Sequence, residues 1–232
     1  YEVKIIADST GEYKSVQNHV PYAAQVETID ESVGRLVSTL HQLGLEDNTL
    51  IVFTSDHGGF SSRSTQYGGH LPAVNLPYRH GKGWLYDGGL RVPHIVKWPA
   101  KINAGGKIKY QTSGVDHHAT FLEASGVEKY NFIDLDTVSY LKAVNGEEHT
   151  RGPIFWHSPL PRPTSMGDTA ASAVIAANYK LIKWQDLGNY ELYDLESDPG
   201  EQMDLSHSNP EKLLEMKSLL DSCMMTNVLK YK

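Results

Sequence analysis

Between residues 22 and 43 the apolar positions Val26, Ile29, Val33, Leu36, Val37, Leu40 and Leu43 fall at helical spacing. That spacing puts them on one face of a helix. Pro21 suits its start and Gly44 its C-terminal cap. After the turn Glu46-Asp47-Asn48, the run Leu50-Ile51-Val52-Phe53-Thr54 is continuously apolar and β-rich. Such a run predicts a central parallel strand with both faces covered. Helix, short loop and buried strand in succession predict an α/β domain. Upstream, residues 2–7 read as a short strand and residues 8–11 as a turn.

Residues 57–90 are dense in Gly, Ser, Pro and His and read as a long loop, the kind that is usually functional or disordered. A strand is expected at 92–98, a shorter one near 108–111, and a helix at 115–125 closed by Gly126. From about residue 150 the texture changes to short strands, at 154–156, 173–175, 179–184 and 190–193, with a hairpin turn at Ala177-Asn178. A last helix starts at Asn209-Pro210, where asparagine caps and proline takes the first helical position, and carries Leu213, Leu214, Leu219 and Leu220. The tail therefore reads as a small antiparallel sheet with one covering helix. The expected division is residues 1–149 and 150–232.

Composition narrows the function classes. The 232 residues are 40% hydrophobic and 21% charged, which excludes wholesale disorder, collagen and coiled coil. No run of eighteen apolar residues occurs, so no membrane-spanning helix is expected. A formal charge of −7 argues against nucleic acid as the main partner, while a single pocket can still be locally positive. The one cysteine, Cys223, excludes an intrachain disulfide and a cysteine-rich zinc site.

Two segments carry candidate chemistry. In Thr54-Ser55-Asp56-His57-Gly58-Gly59 a strand delivers a carboxylate and an imidazole into a glycine turn. That pair suits a divalent cation whose other ligands lie elsewhere, and a capping acid beside a surface histidine is the structural alternative. In His80-Gly81-Lys82-Gly83-Trp84-Leu85-Tyr86-Asp87-Gly88-Gly89-Leu90-Arg91-Val92-Pro93, Lys82 lies between glycines that let its ammonium approach an anion. The glycine spacing is not that of a Walker loop. Arg91 can pair with Asp87 and hold the segment, and Trp84 and Tyr86 read as packing residues.

Together these two segments closely resemble the C-terminal half of the type I sulfatases of the alkaline phosphatase superfamily. The resemblance extends through Tyr22-Ala23-Ala24, Trp98-Pro99 and Gly114-Val115-Asp116-His117-His118-Ala119-Thr120. It reaches the tail through Asn178-Tyr179-Lys180-Leu181-Ile182, Leu192-Tyr193-Asp194-Leu195 and Asp198-Pro199-Gly200-Glu201. The implied fold class is α/β, part of an alkaline-phosphatase-like, mostly parallel sheet with flanking helices, plus the small C-terminal antiparallel sheet and helix. The resemblance makes Asp56 and His57 ligands of the active-site cation, usually calcium, with magnesium or manganese as alternatives. It makes Lys82 the catalytic group that contacts the sulfate. Many relatives carry asparagine where His57 stands, and an imidazole is softer than an amide oxygen.

The family nucleophile is a formylglycine made in a Cys/Ser-x-Pro/Ala-x-Arg motif, and no such motif occurs among these residues. The expectation is a chain that forms the C-terminal half of a longer sulfatase, with the formylglycine and the remaining metal ligands upstream. Alone it is expected to be inactive. The implied substrate is a sulfated small molecule or glycan, and the implied location is exported: periplasmic, lysosomal or extracellular. Arg63 and His70, in the loop between the metal pair and Lys82, and His157 and Arg162, in the tail, are the expected substrate contacts. His117 and His118 read as caps or packing. Two other readings stand beside this one: a phosphonate or phosphodiester hydrolase of the same superfamily, and a non-catalytic chain that binds sulfated glycans.

Overall fold

The computed structural model describes residues 4–8, 11–61, 71–127, 136–147, 150–161 and 169–228. The chain forms two compact units. One gathers residues 1–23, 57–92 and 153–232, and the other residues 24–56 and 93–152.

The first unit is built on an antiparallel sheet in the order β5 (Ile154–Ser158), β6 (Ala171–Ala176), β7 (Tyr179–Trp184) and β8 (Tyr190–Asp194). Side chains alternate between its faces, so each strand serves two cores. Ala171, Ala173, Ile175, Ile182, Trp184 and Tyr193 pack on one face with Leu85 and Tyr86 of the glycine-rich segment. Val174, Leu181 and Leu192 pack on the other with Met216 and Leu220, which project from α5 (Pro210–Val228). Leu181 and Leu192 are completely buried, and each such side chain contributes roughly 1.5–3 kcal/mol.

Local signals explain the joints. Ala177 takes a positive φ of 49° in the two-residue turn between β6 and β7, as a tight hairpin demands. Asn209 accepts the Lys212 N–H at 3.1 Å and caps α5 one residue ahead of Pro210. The small sheet with one covering helix is thus present as expected from the alternation and the cap.

The same unit holds a hairpin of β1 (Ile5–Asp8) and β2 (Gly11–Lys14), paired from Ile5↔Lys14 to Asp8↔Gly11. Its second strand is not legible in the polar run Gly-Glu-Tyr-Lys. Lys14 is buried, its Nζ donating to Leu71 O at 2.8 Å, and burial pulls its ammonium below the ordinary value.

Most of the second unit's secondary structure is α1 (Val20–Gln42), whose residues from 24 onward belong to it, with β3 (Ile51–Thr54), β4 (His94–Lys97), α3 (Asp116–Ala124) and α4 (Leu141–Val144). The expected helices at 22–43 and 115–125 are these two longer ones. Their apolar stripes differ in fate. No residue of α1 is buried, and Val26, Ile29 and Leu36 are 50%, 53% and 67% exposed.

Two strand expectations are corrected. β3 pairs with β4 antiparallel, from Ile51↔Lys97 to Thr54↔His94, and Phe53 is 36% exposed. A continuous apolar run signals burial but carries no information on the direction of its neighbour. Among the described residues no parallel pair occurs. Residues 108–111 form no strand, since alternation over four residues sets an extended backbone and not a ladder partner. The start of α3 is anchored by Asp116, which is completely buried and takes Arg151 in a two-pronged pair at 2.7 and 2.9 Å.

His80 gives the first unit a pH dependence. The ring is 1% exposed, stacked on Trp84 with centroids 4.1 Å apart and against Tyr13 at 4.7 Å. Burial pushes the imidazole down to about 4, against the opposing pull of Asp8. The unfolded chain takes up this proton near the ordinary value, about 6.5, and the native state refuses it until about 4. The stabilisation is therefore complete above pH ~6.5 and is lost as pH falls towards 4. Urea unfolding followed across pH 7 to 4 should show a falling stability that His80→Gln flattens.

Candidate active site

Two glycine turns of the first unit are bonded backbone to backbone. Gly58 N–H donates to Gly89 O at 2.9 Å, and Lys82 N–H donates to Gly59 O at 3.1 Å. Asn75 closes the joint: its Oδ1 accepts from Gly59 N–H at 3.1 Å, and its Nδ2 donates to Gly59 O and to His80 O, each at 2.8 Å. The glycines are required by contact. A Cβ on Gly58 would stand 1.7 Å from Gly88 O, and one on Gly81 would stand 2.1 Å from Gly59 O. One on Gly88 would stand 2.2 Å from Arg79 O. At each the nearest atom is a backbone oxygen, which cannot swing aside as the end of a side chain would.

This joint brings the turn after His57 beside the loop that carries Lys82. The Lys82 side chain is half-buried, and no hydrogen bond or ion pair holds its ammonium among the described residues. An ammonium without an internal partner keeps three donors for an external anion. The His57 Nδ1 lies 2.9 Å from Gly58 O. With the proton on Nδ1 donated there, the lone pair sits on Nε2, the form a cation takes. Asp56 precedes it as an exposed carboxylate, with Ser55 Oγ 3.4 Å from Oδ1. Carboxylate and imidazole fit a divalent cation as part of a coordination shell. Among the described residues no group of three or more His, Cys, Asp or Glu gathers around a common point, so further ligands are needed from outside that set.

The Lys82 loop is fixed from behind by a buried ion cluster. Lys180 on β7 donates to Leu85 O at 3.2 Å, to Glu201 Oε1 at 2.8 Å, and to Asp87 Oδ1. Asp87 opens α2 (Asp87–Leu90), its Oδ2 taking Arg91 Nε at 2.7 Å and its N–H donating to Glu201 Oε2 at 2.6 Å. The Asp87–Arg91 pair is the one expected from sequence. Burial raises both carboxyls, but at Asp87 the Lys180 ammonium and then Arg91 outweigh it, and the group lies below its ordinary value. At Glu201 burial wins, and the carboxyl is pushed up. On acidification a proton therefore reaches Glu201 first.

The other expected contacts fare differently. His157 bonds Ser172 Oγ at 2.8 Å and stacks along Phe155, with centroids 6.3 Å apart. Phe155 packs with the cluster of α5, and Leu85 and Tyr86 pack on the opposite face with Trp156. Strand alternation thus turns His157 away from the glycine-rich segment. The structure does not bring it together with Lys82, and Trp156 packs on that side. Arg63, His70 and Arg162 lie outside the described residues. In the second unit His117 bonds Tyr140 Oη at 2.9 Å and stacks on Phe121 at 5.7 Å, a packing role as expected. Asn75, read from the sequence with Arg63 and His70 as a residue of a cleft-lining loop, is engaged with Gly59 and His80; Lys180 and Glu201 were not singled out by the sequence, although both stand in segments that carry the sulfatase resemblance.

The glycine joint is open to a direct check. Gly58→Ala should destabilise the chain by about 1–3 kcal/mol or more in urea unfolding. Gly114→Ala, where nothing lies within 4 Å, should stay within about 0.5 kcal/mol.

The chain is similar to known proteins. The family model described as "Sulfatase" matches residues 4–127, and that described as "N-sulphoglucosamine sulphohydrolase, C-terminal" matches residues 79–226. A "Sulfatase" of Formosa agariphila is 29% identical over 228 residues, covering 89% of this chain and 40% of the relative. An "N-acetylgalactosamine-6-O-sulfatase" of Bacteroides thetaiotaomicron is 28% identical over 206 residues, covering 84% and 40%. The crystal structure of Ps i-CgsB in complex with a neocarrahexaose superposes with a TM-score of 0.73 at 29% identity, covering 89% of this chain and 43% of that one. BT4656 in complex with D-glucosamine-2-N,6-O-disulfate gives 0.69 at 26%, covering 87% and 39%. The chain spans about two fifths of the length of these relatives. With each family model spanning more than half of its 232 residues, and with an alkaline-phosphatase-like α/β fold shared with solved sulfatases, the chain belongs to the sulfatase family.

Proposed function

We propose that this chain is the C-terminal portion of a sulfuric ester hydrolase that removes sulfate from a carbohydrate. The observation that carries the reading is the glycine joint, which sets a lysine ammonium without a partner among the described residues beside the turn that follows Asp56-His57. Lys82 is the group that binds the sulfate and stabilises charge on the transferring group and the departing oxygen. Asp56 and His57, the latter through Nε2, supply two ligands to a divalent cation, calcium by family resemblance. When bound, that cation neutralises sulfate charge and polarises the S–O bond. The formylglycine nucleophile and the remaining ligands belong to sequence upstream of Tyr1.

Two observations support a longer enzyme. The chain spans two fifths of its relatives, and the apolar stripe of α1 has no buried residue, with Val26, Ile29 and Leu36 exposed. The N-terminal part of the catalytic domain is the partner this stripe suits, with residues 1–149 completing that domain and 150–232 forming the small subdomain. Sulfated sugars are the substrate class because relatives with names or bound ligands of that kind match most of the chain. Among the described residues no helix is long and apolar enough to cross a membrane, and an exported location is the proposal that goes with the substrate.

The first step is to read the coding frame upstream of Tyr1 for a Cys/Ser-x-Pro/Ala-x-Arg motif. In the full-length protein, hydrolysis of an aryl sulfate should be lost on chelation and restored by calcium. Lys82→Ala should lower kcat/KM by about 10²–10³-fold. Hydrolysis that survives both Lys82→Ala and Asp56→Ala would overturn the assignment.

A further inference from the structure

Lys180 and Glu201 are buried ionisable groups that touch neither Lys82 nor the Asp56-His57 pair, and no role in sulfate chemistry accounts for them. Both are fully buried, in a cluster where every strong donor is answered. The three protons of the Lys180 ammonium go to Leu85 O, Asp87 and Glu201. The two oxygens of Glu201 divide between Lys180 Nζ and Asp87 N–H. Glu201 holds this pose with a φ of 54°, a left-handed conformation that a residue with a Cβ adopts only when its surroundings enforce it.

Stability alone is a poor reason for such a cluster. A buried ion pair gives little over well-packed apolar side chains of the same volume. Geometry is a better one. Lys180 grips the backbone at Leu85, three residues past Lys82. Asp87, held by both Lys180 and Glu201, leads directly into Gly88 and Gly89. Gly88 N–H donates to Arg79 O at 3.0 Å, and Gly89 O accepts from Gly58 N–H at 2.9 Å. Gly59 O in turn accepts from Lys82 N–H. The cluster therefore sits at the root of the backbone bonds that join the Lys82 loop to the turn after His57.

We infer that Lys180 and Glu201 are positioning residues for Lys82, holding the glycine-rich segment so that its ammonium meets the anion at a fixed place beside the turn after His57. They touch no substrate and act only through Asp87 and Leu85. The inference rests on the proposed role of Lys82, but its structural half can be read without it. A misplacement of about 1 Å at a reacting centre is enough to lower a rate by about 10²-fold.

The test uses Glu201→Gln, which keeps the shape and removes the charge, and Lys180→Met, which removes the ammonium at similar volume. On the 232-residue chain, amide hydrogen exchange should accelerate by about tenfold or more at Gly58, Lys82 and Gly88, while Val174 and Leu192 in the sheet stay within about twofold. If Lys180→Met does not fold, Glu201→Gln alone decides. Equal acceleration everywhere, or none at the loop, overturns the inference. In the full-length enzyme Glu201→Gln should lower kcat/KM for an aryl sulfate by about tenfold or more, and should cost almost nothing further in a Lys82→Ala background. Full additivity of the two substitutions overturns it as well. A full-length protein that hydrolyses no sulfate ester defeats the functional reading instead, and the exchange measurement then still decides whether the cluster holds the loop.

Discussion

The Lys180 ammonium is the constraint on which the first unit turns. A charge removed from water needs its donors met in full, and here they are met from two separate stretches of chain: Leu85 and Asp87 in the glycine-rich segment, and Glu201 in the tail. β7, the glycine-rich segment and the tail loop must arrive together or leave a charge unanswered. The aromatic layer follows from that meeting. Tyr86 packs beneath Arg79, whose guanidinium lies 4.2 Å above its ring, and the Tyr86 and Tyr193 hydroxyls converge on one oxygen of Glu191 at 2.7 and 2.9 Å. Burial first, then the Glu191 charge, drives both phenols up, so they act as permanent hydrogen-bond donors.

Two residues in left-handed conformation belong to the same account. His80 and Glu201 both have a φ of 54°, and both are almost wholly buried. Each such residue carries roughly 1–2 kcal/mol of strain. Their placement is held by partners on every side: Trp84, Tyr13 and Tyr86 around His80, and Lys180 with the Asp87 N–H at Glu201. Strain of this kind is kept where a neighbouring geometry has to be exact, and both residues adjoin the segment that presents Lys82.

What was legible in the sequence depended on whether the signal was local. The Asn209-Pro210 cap, the Ala177-Asn178 hairpin and the alternation in β6 to β8 are short-range patterns, and the structure follows them. The chemistry of Asp56, His57 and Lys82 was marked by glycines, and the structure shows why: at Gly58, Gly81 and Gly88 another backbone occupies the space of a Cβ. Direction and partnership were not legible. The apolar run 50–54 gave no hint that its neighbour would run antiparallel. The single-residue shift between Trp156 and His157 decided which of them faces the glycine-rich segment. The ion cluster joins residues 93 and 114 positions apart, and no periodicity reaches that far.

The two long helices show the limit most plainly. α1 and α5 carry the same kind of amphipathic stripe, and both form. α5 closes over the sheet, and Met216 and Leu220 fall to 1% exposure. α1 buries nothing. The periodicity of a helix encodes that an interface exists and leaves open which chain segment fills it. A stripe holding Val26, Ile29 and Leu36 loses roughly 1.5–3 kcal/mol per large apolar side chain left in water. That loss is recovered only when a partner arrives. Among the described residues of the first unit, the buried Lys180 charge is answered and both faces of the sheet are covered. The second carries Asp56 on a unit that is short of apolar cover. On the proposed reading, the segment that covers α1 is the one that brings the remaining metal ligands and the nucleophile. Completion of the core and completion of the active site then become a single assembly step.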